Sequence, residues 1–528
     1  MTDSFDDFLS VAADFQLGSL ETEMPHPLTG DLSRLAVDDL PAAIRLLQRV
    51  DVLAWERFES RAMIVLPALA RDIGETLRAG GRLFFCGCGA TGRLSLSLEI
   101  FCRKQGLLPP EWADRAVAFM AGGDLALIRA IERFEDRPDF GARQLEELGF
   151  GENDLLIAST EGGETPWVIG ATERAATLSR RAPWFLYCNP DNVLAEVAER
   201  SRRVLENPAI RKGNLAVGPM ALSGSTRMQS STVLMAAIGW AIVHRDSPDA
   251  APAAVGAFTR RIGSQDWAAF LAPFIEGEAA AYQRGERVIY ESDAVWGITM
   301  VTDTTERSPT FSLAPLENQN RLEEPASWCH FLLSHTPDSA TAWRELLGRE
   351  PRPLEWPEIR ETAGPEVLVG YDFSEKLIAR RQTRAPGVPL RHFLVSWDES
   401  EAEFRFVADF GDGERRASLA VPDSKPLERH LILKMTMNTL STLGMGRLGR
   451  YVDNIMVYVK PANRKLIDRA IRYVRLLAAR RLPADQAPGY ETVARCLLAE
   501  IPRLQPGEPV VLKTLEKVLE NAEANHFP

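Results

Sequence analysis

Gly87-Cys88-Gly89-Ala90-Thr91-Gly92-Arg93 leaves an apolar run, GRLFFCG, and enters a stretch of helical periodicity. A glycine turn between strand and helix brings free backbone N–H groups and the positive end of a helix dipole to one point, which suits an anion. The stretch from Ser159 to Pro166, STEGGETP, repeats the plan after another apolar run, with Gly162 and Gly163 in the turn and Thr165-Pro166 opening the helix. It carries two carboxylates, Glu161 and Glu164, where the geometry invites a phosphate. Ala221 to Met228, ALSGSTRM, gathers the hydroxyls of Ser223, Ser225 and Thr226 and the guanidinium of Arg227 around Gly224, directly ahead of an apolar helix. Hydroxyls at a helix start serve as N-caps; beside a glycine and an arginine they also suit phosphate oxygens. More carboxylates stand in the same half: Glu99 on the helix after the first turn, and Glu132 and Glu135 in IERFED. Carboxylates around an anion seat fit proton transfer on a phosphorylated small molecule, with the phosphate as handle and the carboxylates as base and acid.

The elements that must position these residues alternate. GRLFFCG, AVAFMAG, DLLIAST and PWFLYCN read as short apolar strands, and the stretches after Gly92, Gly123, Thr165 and Asn192 have helical spacing. This βα repeat predicts a parallel sheet with helices on both faces. The expected order is a helical lead-in over residues 1–80, a first α/β domain over 81–245 that holds the site, and a helical linker over 246–285. A second, less regular α/β domain over 286–460 and a helical region over 461–528 complete the chain. In the second domain RVIYES, AVWGITMVTD, HFLLSH, VLVGYDF, RHFLVSWD, FRFVADF and NIMVYV read as strands, with a long helix at roughly 425–447. Thr302 to Ser308 then end a strand where the first domain has its glycine turn, but without glycine, so the second copy of the site reads as degenerate.

Composition narrows the partners. With 528 residues two domains are expected. A formal net charge of −12 without a dense Lys/Arg block argues against nucleic acid or an anionic membrane and for a small molecule. MTDSFDDFLSVAADF lacks a basic stretch followed by an apolar one, and no segment is long and apolar enough to span a bilayer, so the expected location is the cytoplasm. Cys86, Cys88, Cys102, Cys188, Cys329 and Cys496 show no paired spacing, so neither a zinc site nor a disulfide framework is expected. GCGATG satisfies the GxGxxG pattern of dinucleotide-binding turns, and Asp124 stands where a ribose-binding acid would. The hydroxyl-rich loops have no part in that design, and no cofactor is expected.

Taken in order, GCGATGRLS, AGGDLALIRAIERFED, the TPWVIG helix start, NPAI, ALSGSTRM and MNTLSTLGMGRLGRYVDNIMVYVKPANRKLIDR resemble the sugar isomerase (SIS) domain family. More narrowly, they are similar to the group of N-acetylmuramic acid 6-phosphate etherases and glucokinase regulatory proteins. The resemblance implies an α/β fold of flavodoxin-like SIS domains, with a phosphosugar site lined by the loops that follow the strands. The length matches the plan in which two such domains are fused, an internal pseudo-dimer. The implied ligand is a phosphorylated hexose or amino sugar. The implied function is an etherase-like lyase or a sugar-phosphate isomerase, or alternatively a non-catalytic sensor that regulates a sugar kinase. Gly89, Thr91, Gly92, Gly163, Thr165, Ser223, Ser225 and Thr226 would bind the phosphosugar; Glu132 and Glu135 would face the ring; and Arg450, with Arg447 nearby, would reach in from the end of the long helix. The expected catalytic set is Glu135 with Glu161 or Glu99. Phe101 stands where the etherases carry a second carboxylate, Gln229 replaces a common lysine, and Gly162 replaces a serine. The lost hydroxyl and the added charges of the Glu161–Glu164 turn shift the phosphate to Thr91 and the Ser223–Thr226 loop, leaving Glu161 and Glu164 to meet hydroxyls, an amine or a reacting proton.

Overall fold

The computed structural model describes residues 8–523 apart from 11, 132, 133, 462 and 506. Five strands, β1 (Leu83–Gly87), β2 (Ala116–Met120), β3 (Leu155–Ser159), β4 (Trp184–Tyr187) and β5 (Arg211–Asn214), form a fully parallel sheet in the order β2-β1-β3-β4-β5. β1 to β4 are short, nearly continuous apolar runs because both faces of the sheet are covered there. Leu83, Phe85, Leu155 and Ile157 enter one core, while Phe84, Cys86, Leu156 and Ala158 enter another. Helices α1 (Leu40–Arg78), α2 (Ala90–Lys104) and α5 (Gln229–Val243) supply the first core. Helices α3 (Pro138–Glu147) and α4 (Pro166–Leu178) supply the second, with Leu145, Trp167 and Ile169.

Helices α6 (Ala251–Ser264) and α7 (Ala268–Gln283) lead to the second sheet. Its strands are β6 (Arg287–Ser292), β7 (Cys329–Leu333), β8 (Leu390–Asp398), β9 (Glu403–Asp409) and β10 (Glu414–Ala420), in the order β10-β9-β8-β6-β7. β7, β6 and β8 are parallel, and β9 and β10 add an antiparallel flank. Val288, Tyr290, Phe331 and Phe393 share the same continuous core as α1 and α2, so the two halves are packed through common apolar contacts. Helix α9 (Pro426–Arg447) is buried along nearly its whole length in that core, and α10 (Arg464–Ala478) follows after a short hairpin of Tyr451–Val452 with Ile455–Met456.

Three apolar runs fold differently from their expected strands. AVWGITMVTD is the start of helix α8 (Ala294–Phe311), whose N-terminus is capped by the Asp293 carboxylate. A helix buried on all sides has no polar face, so its apolar run cannot be told from a strand by spacing alone. Thr302 to Ser308 are therefore helical, and the counterpart of the first glycine turn is Asp293. VLVGYDF contains the end of the short helix Pro365–Leu368, started by a proline at its first turn, and then a turn. In NIMVYV only Ile455–Met456 pair as a strand. The polar strands β5 and β10, RKGN and ERRASLA, were hidden for the converse reason: they are partly exposed and lack an apolar run.

Candidate active site

A cavity of about 930 Å³ opens at the C-terminal ends of β1 and β3 and is walled by both halves of the molecule. This is where ligands sit in open α/β sheets, at the crevice outside the carboxyl ends of the strands. Gly89 lines it as the N-cap of α2, with φ 55° and no side-chain cap on the helix. Thr91 is buried under the turn: its hydroxyl accepts from Cys88 N (3.0 Å) and donates to Cys88 O (2.9 Å), bracing the loop from inside. Gly92 packs against the Met120 side chain of β2. Of these three, the structure brings Gly89 to the cavity wall and uses Thr91 and Gly92 to hold its shape.

The Glu161–Glu164 turn divides its two acids. Glu161 lines the cavity, and its Oε1 accepts from Ser231 Oγ at 2.7 Å. Burial raises its carboxyl to about 7 even though Ser231 and a backbone N–H favour the charged form. The Glu161 carbonyl accepts from Cys188 N at 3.0 Å, so its backbone is tied to the end of β4. Glu164 is buried and is not among the lining residues of the cavity; it lies between Arg200 (2.8 Å) and Lys465 (2.7 Å). Against the desolvation of burial, these two cations hold it well below the usual carboxylate range. Gly163 has φ 79°, and a Cβ there would lie 2.4 Å from Leu194 Cδ2, so it shapes the turn. Thr165 lines the cavity, with its hydroxyl 3.2 Å from that of Thr160.

Glu135 reaches the same cavity, where Lys465 Nζ lies 3.1 Å from its Oε1. Its carbonyl accepts from Trp167 N (3.0 Å), which fixes it beside the α4 N-terminus. Glu132 lies outside the described residues. The ALSGSTRM loop contributes Ser225 and Thr226 to the wall, and Ser225 Oγ is buried with no hydrogen-bond partner among the described residues. Ser223 is buried below the loop, where its hydroxyl donates to Glu23 O (2.9 Å). Arg227 turns to Asp303 of the second half (2.9 Å). Arg450 lines the far wall with its guanidinium between the rings of Trp328 (4.6 Å) and Tyr458 (4.2 Å), and its Nη1 is unpartnered among the described residues. Arg447 instead binds the carbonyl of Ala36 (2.8 Å).

Glu99 is not at the cavity. It is 1% exposed beneath a clamp from the second half, with Arg349 at 2.9 Å and Arg352 at 3.2 Å. Arg349 also pairs with Asp124 (2.5 Å), which accounts for the second acid that a dinucleotide site would have needed. Phe101, at the position of the etherases' second carboxylate, stacks on His430 with ring centroids 4.1 Å apart. The helix faces set this: two residues rotate a side chain by about 200°, so Glu99 and Phe101 point to different neighbours.

Among the wall residues that the sequence analysis did not single out, four charged ones stand out. Lys465 and Arg469 come from the first turns of α10, and the signal was present in ANRKLIDR, read only as part of a motif. Glu23 comes from the lead-in, which had no pattern to mark it; it binds Arg469 (2.6 Å) and Arg472 (2.9 Å), which hold it at about 2 against the desolvation of burial. Glu306 was hidden in the segment misread as a strand. No group of His, Cys, Asp and Glu that could hold a metal ion occurs among the described residues, and among them no helix is long and apolar enough to cross a membrane.

Residues 68–176 match the family model of the glucokinase regulatory protein N-terminal SIS domain. N-acetylmuramic acid 6-phosphate etherase from Rhodopirellula baltica is 31% identical over 217 residues, 41% of this chain and 66% of the etherase. The enzyme of that name from Yersinia pestis is 32% identical over 222 residues, 41% of this chain and 67% of the etherase. The matches thus span about two thirds of the relatives' own length. Tagatose-6-phosphate ketose/aldose isomerase from Escherichia coli aligns with a TM-score of 0.41 and 12% identity, over 84% of this chain and 100% of that one. With the first glycine turn and the strands β1 to β3 inside the region of the family model, this chain belongs to the sugar isomerase (SIS) family, in the group of the N-acetylmuramic acid 6-phosphate etherases and the glucokinase regulatory proteins.

Proposed function

We propose that the protein binds a phosphorylated hexose or amino sugar in this cavity and catalyses acid–base chemistry on it, an etherase-like elimination or an isomerisation. The observation that carries the reading is Glu161: a carboxyl on the cavity wall, raised by burial to about 7, beside an uncapped helix N-terminus and the unpartnered Ser225 hydroxyl. Gly89 N–H groups, Ser225 and Thr226 hold the phosphate. Glu161, partly protonated near neutral pH, gives a proton to a sugar oxygen, a second carboxylate of the wall takes one from carbon, and Glu135 beside Lys465 faces the sugar ring. Arg450 closes the far end. The two halves act as an internal pseudo-dimer with one working site, and the relatives' names support a sugar 6-phosphate as ligand.

Incubation of the protein with hexose and amino-sugar 6-phosphates in D₂O, followed by NMR, tests this directly. The expected result is conversion or solvent deuterium at a sugar carbon. Glu161→Gln is expected to lower kcat at least about 100-fold while affinity stays within about tenfold. Phe101 at the position of a catalytic carboxylate favours a second reading, a phosphosugar sensor that controls a partner such as a sugar kinase. Tight binding without conversion or deuterium uptake across the panel would select it.

A further inference from the structure

The cavity holds a carboxylate that comes from the opposite half of the chain. Glu306 lies on α8, which packs against α2, and it lines the same cavity as Glu161. Its Oε1 accepts from Arg93 Nη1 at 2.5 Å, and Arg93 is itself immobilised by Leu127 O (3.1 Å) and Ala126 O (2.8 Å). Arg93 is the residue that follows Gly92, so the first glycine turn and the second half's acid are locked to one guanidinium. The neighbouring cation, Arg227, is neutralised by Asp303 one turn earlier on α8, which leaves Glu306 with Arg93 as its ion pair among the described residues. Its Oε2 takes no protein hydrogen bond among them. Ser231, whose hydroxyl holds Glu161, and Glu306 also line one small recess next to the main cavity.

We propose that Glu306 is a catalytic carboxylate of this site, supplied by the second α/β half as the proton-transfer partner of Glu161. The assignment rests on the acid–base reading above and accounts for a chain that lacks a carboxylate at Phe101. In an elimination a carboxylate takes the C–H proton, the freed electron pair forms the C=C bond, and the C–O bond breaks as the departing oxygen accepts a proton from a carboxylic acid. In an isomerisation the carboxylate returns its proton to the adjacent carbon while the acid exchanges one between the two oxygens. Neither route needs an oxidant or a further reactant. Glu306 takes the carbon proton and Glu161 serves the oxygen, with Glu135 and Lys465 orienting the sugar hydroxyls. Negative charge on Glu306 also adds to the burial that raises Glu161.

The test is turnover and binding of the full chain with the phosphosugar converted in the D₂O screen. Glu306→Gln is expected to lose at least about 100-fold in kcat, the lower end for an acid or base, with Kd within about threefold of wild type. Glu306→Asp is expected to restore part of the rate. Should Glu306→Gln leave Arg93 unpaired and the protein unfolded, Arg93→Met combined with Glu306→Gln removes both buried charges, and the same loss of kcat is expected. Wild-type turnover in a folded Glu306→Gln or double variant overturns this assignment alone. A wild-type protein that binds phosphosugars and converts none overturns the enzymatic reading and this assignment with it.

Discussion

Between β1 and α2 the helix begins at Gly89, with φ 55°, ψ −121° and no side-chain cap; between β6 and α8 it begins at Asp293, whose carboxylate accepts from Val295 N (2.9 Å) and Trp296 N (3.2 Å). Strand, turn and helix are otherwise of one design. The second turn carries its own anion on a covalent tether, and the first leaves its N–H groups without a side-chain cap. A Cβ at Gly89 would meet no atom within 4 Å, so the first turn faces open space. Repeating a fold therefore does not repeat its site: one side chain at the N-cap is enough to close it, and the second half is freed to lend residues such as Glu306 and Arg450 to the first.

The comparison breaks most severely by copying the second turn into the first. Gly89→Asp is expected to weaken phosphosugar binding at least a hundredfold, since two like charges ~4 Å apart near a protein surface repel by about 4 kcal/mol. Calorimetric titration, with a melting curve to show that the variant is folded, measures it; unchanged affinity would remove the phosphate from this turn. Glu161 gives the next largest effect, through pH. Its folded value of about 7 lies above the ordinary 4.5, so the native state keeps a proton that the unfolded chain releases, and stability falls as pH rises across that window. The loss amounts to about 3 kcal/mol by pH 8. Urea unfolding at pH 5 and pH 8 should show Glu161→Gln gaining on wild type by most of this amount between the two, and equal differences at both would refute a raised carboxyl.

Smaller effects sharpen the contrast. Ser225→Ala is expected to cost about 1–3 kcal/mol in phosphosugar affinity, the range for losing a hydrogen bond to a charged group. An affinity equal to wild type would mean that the unpartnered hydroxyl does not meet the ligand. Asp293→Ala, at the closed turn, is expected to cost about 1 kcal/mol of stability and nothing in binding. Weaker phosphosugar binding in that variant would show that the second turn takes part in the site.

How far the sequence alone reaches also differs between the halves. The first four strands and their glycine turns could be read because fully buried parallel strands are short apolar runs bounded by glycine. In the second half the same rule misassigned α8, since a helix buried on all sides leaves no polar stripe, although Asp293 ahead of it was an N-cap signal. For the site, Gly89, Glu135, Glu161, Thr165, Ser225, Thr226 and Arg450 all reach one cavity. Glu99 does not, because Arg349 and Arg352, some 250 residues away in sequence, claim it. Glu23 and Glu306 could not be assigned from local pattern, since what brings them to the wall is packing between distant parts of the chain, whereas Lys465 stood in the motif ANRKLIDR.

The pairing of Glu23 with Arg469 spans 446 residues. At synthesis rates of ~5–20 residues per second, the acid leaves the ribosome roughly 20–90 s before the cation that neutralises it. Both sheets can close in that interval, but the wall that carries Lys465 and Arg469 cannot. The cavity is thus finished late, across one of the longest sequence separations in the polar network of the described residues, and a ligand that requires this wall binds only once it is in place and favours that docking step.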